Sequence, residues 1–238
     1  MKLNETLLST PQINGTSALS SNGFSHQEIG DQHIGTSLET PMRDDAFELS
    51  NEEKKEIIAE KFRDIMETLG LDLTDDSLRG TPDRVAKMYV EEIFSGLDDR
   101  NKPNVALFEN KYKYNEMLVE KDITLYSNCE HHFVPIIGRA HVAYISNGKV
   151  IGLSKLNRIV RHFAKRPQVQ ERLTNQIANE LKETLGTEDI AVVINAEHLC
   201  VASRGIEDTN STTVTAYYGG KFKQEATKRE FLDYIRME

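Results

Sequence analysis

The 238-residue chain has only two cysteines, too few for a disulfide scaffold, and a reducing, cytoplasmic setting is the simpler expectation. It has no apolar run near the roughly 20 residues that a membrane-spanning helix needs, and its mean hydropathy is −0.50. No secretory signal is expected at the start, because Asn4 and Glu5 interrupt the short apolar stretch there. Positive charge is also scarce. Against 38 Asp and Glu stand 29 Lys and Arg, a formal net charge of −9, which disfavours general affinity for nucleic acid or an anionic membrane. An anionic ligand would therefore need a local cluster of basic side chains. What is present, 38% hydrophobic and 28% charged residues, is enough for one generous domain or two small ones.

The first 48 residues are rich in Ser, Thr, Asn, Gln and Gly and carry little apolar periodicity. Such a segment buries too little apolar surface to offset its ordering entropy, so a disordered acidic tail is expected over 1–48. Ser50, with Glu53 three residues on, has the pattern of a capping box. Ile57, Ile58, Phe62, Ile65, Met66 and Leu69 follow at helical spacing, and Gly70 is placed to end that helix. A second helix is expected from a Thr81 cap and Pro82, closing at Gly96.

The period then changes. Residues 117–127 and 139–146 read as strands, with a hairpin turn at Asn147-Gly148 before Val150 and Ile151. Helices are expected over 155–164 and 168–185, the second capped by Gly186, strands over Ile190–Ile194, His198–Ala202 and Thr212–Tyr218, and a last helix from about Gln224 to Ile235. Paired strands with inserted helices indicate an α+β fold with an antiparallel sheet.

Three groups of residues could carry chemistry. Cys129-Glu130-His131-His132 sets a thiol and an imidazole three positions apart, and His198-Leu199-Cys200 adds a second such pair, which a strand would put on one face. Cys129, His132 and Cys200 would make a Cys₂His set for Zn²⁺, leaving a fourth position open as catalytic zinc sites do. Equally, two thiols could be small buried hydrophobes beside ordinary histidines. Lys155, Arg158, Arg161, Lys165 and Arg166 follow Gly152-Leu153-Ser154, where a helix start with Ser154 and Lys155 would suit a phosphate; a solvated basic face is the plainer alternative. Arg204-Gly205 follows the second Cys/His pair. Finally, the run from Arg166 to Thr174 places Glu171 either at a helix N-terminus or against the N–H donors of a ligand.

Read jointly, the segments Thr81-Pro82-Asp83-Arg84-Val85-Ala86-Lys87-Met88-Tyr89, Cys129-Glu130-His131-His132, Gly152-Leu153-Ser154-Lys155, Arg166–Thr174 and His198-x-Cys200-x-x-x-Arg204-Gly205 closely resemble the GTP cyclohydrolase I family. The likeness spans about residue 50 to the C-terminus. It departs locally at Tyr217-Tyr218, and the tail has no counterpart. The resemblance implies a catalytic domain over 49–238, with N-terminal helices at 49–100 and a tunnelling-fold core at 101–238. In that fold, antiparallel sheets of several subunits join into a barrel, within a homodecamer of two pentamers with sites at subunit boundaries. The implied reaction converts GTP and water to formate and 7,8-dihydroneopterin triphosphate, the entry to folate or biopterin synthesis.

The same resemblance implies one zinc per chain on Cys129, His132 and Cys200, with His131 and His198 as acid–base groups. Glu171 and Gln170 would meet the guanine base, and Ser154, Lys155, Arg158 and Arg204 the triphosphate. Arg84 would reach it from a neighbouring subunit. Two rivals use some of these residues. A structural zinc module should supply a fourth ligand and leaves Glu171 and the arginines without a role. Another tunnelling-fold enzyme, acting on a pterin or deazaguanine, would not need both the full Cys/His set and the phosphate cluster.

Overall fold

Ser50 begins the ordered helices as its capping box requires: its hydroxyl accepts the Glu53 N–H and Glu53 reaches back to the Ser50 N–H at 2.8 Å. In the computed structural model, which describes residues 37–237, this starts α1 (Asn51–Thr68), followed by α2 (Thr81–Lys87). The strands are β1 (Leu107–Glu109), β2 (Met117–Cys129), β3 (Pro135–Ile145), β4 (Lys149–Ile151), β5 (Pro167–Gln168), β6 (Ile190–His198) and β7 (Thr213–Tyr218). Between and after them lie α3 (Leu153–Ala164), α4 (Gln170–Leu185), α5 (Leu199–Ala202) and α6 (Glu225–Arg236). No described helix is long and apolar enough to cross a membrane.

The main sheet has the order β5-β2-β3-β6-β7, antiparallel throughout except where β5 runs parallel beside the end of β2. Its two faces are buried by different elements, an α+β arrangement. Leu156, Ile159 and Val160 of α3 and Leu173, Ile177 and Leu181 of α4 pack on Leu125, Val142 and Ile194. On the other face Met117, Ala143, Ala191 and Val193 meet Phe222 and Phe231. Coverage on both sides explains why Ile190 to Ile194 are apolar without alternation.

Several expectations are corrected. The residues from His198 to Ala202 are not a strand: β6 ends at His198, opposite Ile136 near the start of β3, and the chain turns at once into α5. The ladder has no further partner there, so the backbone closes its own bonds, with Ser203 N–H donating to Leu199 O. The Asn147-Gly148 turn is present, with Gly148 at φ +85°, but β4 pairs with β1, which was not foreseen, and not with β3. Thr81 is the first residue of α2 and Gly80 its cap; the Thr81 hydroxyl accepts from Arg84. That helix turns into a π-helical stretch over Met88–Ile93. Gly96 serves a close approach: a Cβ there would lie 2.0 Å from the His162 carbonyl oxygen. Gly186 does end α4 in the left-handed region expected of it (φ +63°).

Most of the expected tail, residues 1–36, lies outside the described residues. Residues 37–48 form no helix or strand, yet contact with the rest of the described chain starts before the expected boundary at 49. Arg172 donates to Ser37 O (2.9 Å), and Gln176 to the Glu39 carboxylate (2.9 Å).

Candidate metal centre and its surroundings

Cys129 is the last residue of β2 and begins a tight loop. The Phe133 N–H donates to Cys129 O and the Cys129 N–H to Val134 O, each at 2.8 Å. Closing this loop puts Phe133 at φ +55°, a conformation that costs a bulky residue free energy. Its ring is held against Phe94 and Tyr89, with centroids at 4.9 and 6.3 Å, so aromatic packing offsets the strain. The loop therefore presents His131 and His132 in a fixed place beside the thiol.

Cys200 enters from α5, and the ligand atoms of Cys129, His132 and Cys200 all lie within 4.8 Å of one another. His132 Nδ1 is 3.8 Å from Cys129 Sγ, and His131 Nδ1 is 3.7 Å from it. Cys129 is buried, Cys200 half-buried and His132 exposed, so the cluster opens to solvent on the imidazole side. Both cysteines are unpaired thiols. The Cys200 thiol is pushed up to about 11, first by burial and then by the neighbouring Cys129. The Cys200 thiol thus resists ionisation by itself, and a divalent cation would supply the charge that reverses this. Soft sulfur with imidazole is also the donor set that zinc prefers. The residues fit the metal.

The strand expected over residues 198–202 does not exist, so His198 and Cys200 do not share a strand face. While Cys200 joins the cluster, the His198 ring turns to Gln170: its Nε2–H donates to Gln170 Oε1 at 2.7 Å. Turning the amide to donate to the imidazole would set the Gln170 oxygen against carbonyl oxygens, because its NH₂ is engaged with Thr213 O (2.9 Å), Thr215 Oγ1 (3.1 Å) and Ile194 O (3.2 Å). That leaves His198 Nδ1 as its second nitrogen for other partners. Burial lowers the pKa of His198, while nearby Glu171 acts in the opposite direction.

The remaining expected site residues divide into groups. Gln170 is 1% exposed, and its reach toward a ligand runs through His198. Glu171 stands exposed in the first turn of α4. Arg204 is brought to the cluster, donating to His132 Nε2 at 2.9 Å. A guanidinium can only donate, so this imidazole accepts at Nε2 and carries its proton on Nδ1. Ser154, Lys155 and Arg158 occupy the first turns of α3, where Arg158 joins Arg161 and Lys165 around a cavity of about 250 Å³. Arg166 leaves that basic group: it stacks on Phe163 (4.8 Å) and donates to Asp99 and to His162. Arg84 is held locally by Ser77 O and Thr81 Oγ1.

Sequence reasoning missed Arg172. Its side chain is only 3% exposed and forms an ion pair with Glu130, inside the Cys-Glu-His-His segment, at 2.5 Å. The available signal was the helical spacing: Arg172 and Gln176 lie one turn apart, beside the apolar stripe of Leu173 and Ile177, and a basic residue on a buried face requires a carboxylate.

Comparison with known proteins agrees with this geometry. A family model described as GTP cyclohydrolase I matches residues 58–236. A protein named GTP cyclohydrolase 1 from Flavobacterium johnsoniae is 63% identical over 211 residues, 89% of this chain and 95% of the relative. One of the same name from Salmonella arizonae is 54% identical over 209 residues, 87% of this chain and 94% of that one. Among solved structures, an archaeosine synthase QueF-like protein in the apo form aligns with 45% of this chain and 97% of its own, at 15% identity and a TM-score of 0.39. With the Cys129, His132 and Cys200 cluster inside the matched region and both relatives covered almost end to end, the chain belongs to the GTP cyclohydrolase I family and is an enzyme of that activity.

Proposed function

We propose that the enzyme is zinc-dependent and converts GTP and water to formate and 7,8-dihydroneopterin triphosphate, the first step of pterin synthesis. The observation that carries this reading is the convergence of Cys129, His132 and Cys200 next to a histidine whose ring is oriented by a buried amide. Bound by those three residues, zinc would supply Lewis acidity that makes hydroxide available near neutral pH.

The chain's own residues do the rest. Carbon 8 of guanine is a poor electrophile until the adjacent ring nitrogen is protonated, and His198, as the imidazolium, delivers that proton from Nδ1 while Gln170 holds Nε2–H, leaving a neutral ring. Holding one nitrogen fixes which proton moves. His131, beside Cys129, is the second acid–base group. Glu171 accepts from the guanine N1–H and amino group, a donor pair that adenine lacks. Ser154, Lys155 and Arg158 on α3 hold the triphosphate, joined by Arg204. Ligation through His132 Nδ1 would place that ring's proton on Nε2, and Arg204 would then turn from the imidazole toward the anion. Arg84 completes the site from a neighbouring subunit, in a homodecamer whose sheets join into a tunnelling-fold barrel.

Incubation with GTP should release formate, and metal analysis should find one zinc per chain. Cys200→Ser should lose both. Zinc bound equally by that variant would overturn the ligand set, and full turnover without metal would overturn the zinc dependence.

A further inference from the structure

The Cys129–Val134 loop carries two of the three proposed zinc ligands, and Glu130 is the point at which the surrounding fold grips it. The grip has two arms. Through its carboxylate, Glu130 accepts from both terminal nitrogens of Arg172, at 2.5 and 3.3 Å. Through its backbone, the Glu130 N–H donates to Gln168 O at 3.0 Å, continuing the short pairing of β5 with the end of β2.

Both arms lead to the same three residues. Arg172 spends its remaining Nε–H on Ser37 O at 2.9 Å. Gln168 Nε2 donates to Gln176 Oε1 (2.8 Å), and Gln176 in turn donates to the Glu39 carboxylate (2.9 Å) and Leu38 O (3.5 Å). Arg172, Gln168 and Gln176 are all buried. The segment Ser37–Glu39 thus lies along α4 and closes a ring of hydrogen bonds whose far side is the metal loop. Such a network has few alternative arrangements, because an arginine fork satisfied at all three of its nitrogens cannot rotate without leaving a buried donor unpaired.

We infer that Arg172 and Glu130 are positioning residues for metal ligation, and that Ser37–Glu39 is the strap that holds the arginine in place. The inference rests on the zinc reading above. Outer groups that orient ligands typically change metal affinity by about 10–100-fold when altered. A lysine at position 172 would keep the charge but reach only part of the fork, whereas Glu130→Gln would keep the size and weaken the pair. Glu39→Ala would loosen the strap without touching loop or ligands.

The test is made on the full-length chain, with zinc affinity measured by competition against a chromophoric chelator and the ligand geometry read from the d–d absorption of the Co²⁺-loaded protein. Glu130→Gln and Arg172→Lys should bind zinc about 10–100-fold more weakly, with a displaced cobalt spectrum and unchanged circular dichroism. The double variant should lose no more than the weaker single one, since both cut the same contact. Glu39→Ala should move affinity the same way by a smaller factor. Wild-type affinity and spectrum in both loop variants would overturn the positioning role, and wild-type affinity in Glu39→Ala would overturn the strap. Should Arg172→Lys fail to fold, Glu130→Gln decides. A wild-type chain that binds no zinc would instead sink the reading on which the inference rests.

Discussion

His162 shows how one side chain's environment sets a pH response. It is buried on α3, its Nε2 accepts from Arg166 at 2.9 Å, and burial followed by the Arg166 charge lowers its pKa to about 4. Asp99 and Glu180 act in the opposite direction and Lys102 in the same one, none of them as strongly as burial. An unfolded histidine titrates near 6.5. The unfolded chain therefore takes up a proton that the folded chain refuses between those values. The stability tied to neutral His162 is complete above about 6.5 and is lost as pH falls toward 4. His162→Gln keeps an acceptor for Arg166 and has nothing to titrate, so its urea midpoint should fall less steeply than wild type from pH 7 to 4.5; parallel profiles would refute the assignment. In the proposed site, Glu171 is the residue that would select the base. Glu171→Gln should weaken GTP binding by about 1–3 kcal/mol and narrow the preference for GTP over ATP. Arg158→Ala should weaken GTP binding without changing that preference. Calorimetry with GTP, ATP and guanosine separates the two, and an unchanged preference in Glu171→Gln would remove it from the base site.

Among the elements, α3 and the turn at Gly96 form a tight joint. The Gly96 N–H donates to Lys165 O at 2.9 Å, and the His162 and Lys165 carbonyls would stand 2.0 and 2.8 Å from any added Cβ. Backbone atoms on both sides cannot yield as a flexible side chain would. Gly96→Ala should therefore cost at least about 1–3 kcal/mol of stability, measured by urea unfolding. A neutral result would mean that the two segments can separate without loss. The same joint borders the basic cavity that includes Arg158, so the variant should also weaken GTP binding. In α4, the buried face mixes Leu173, Ile177 and Leu181 with Gln170, Arg172 and Gln176. The apolar members hold the helix on the sheet, and the polar ones direct hydrogen bonds to β6, β7, the Cys129–Val134 loop and the residues before α1.

At the scale of the whole molecule, a single chain leaves a large apolar groove uncovered. Phe47, Ile57, Ile65, Tyr89 and Phe94 border a cavity of about 490 Å³, and Leu69 is 73% exposed. Such a surface supports the proposed association of subunits, which would cover it. Sedimentation should accordingly find the enzyme as a decamer at working concentrations; a monomer active on GTP would contradict that reading and the role of Arg84. Removing residues 1–36, which are polar and acidic in composition, should leave assembly and turnover on saturating GTP nearly intact. Removing residues 1–40 should weaken zinc retention, because it takes the acceptors of Arg172 and Gln176 as well.

What the sequence by itself determined was whatever depends on neighbours in the chain. The Ser50–Glu53 cap, the apolar stripe of α4, the left-handed end at Gly186 and most of the long strands β2 and β3, expected at 117–127 and 139–146, follow from spacing of 2 to 4 residues, which local backbone geometry reads directly. The cysteines and histidines could be named as candidates for the same reason, since few residue types bind zinc. Tertiary structure decided where each chain segment finds its partner. It paired β4 with β1, ended β6 at His198 where β3 runs out, and so sent Cys200 to Cys129 and His132 while turning His198 to Gln170. It also buried Arg172 against Glu130, 42 residues away. Helical spacing sets that arginine beside the apolar stripe but does not name its carboxylate, because the energy that keeps a charge inside a fold comes from a partner brought by another part of the chain.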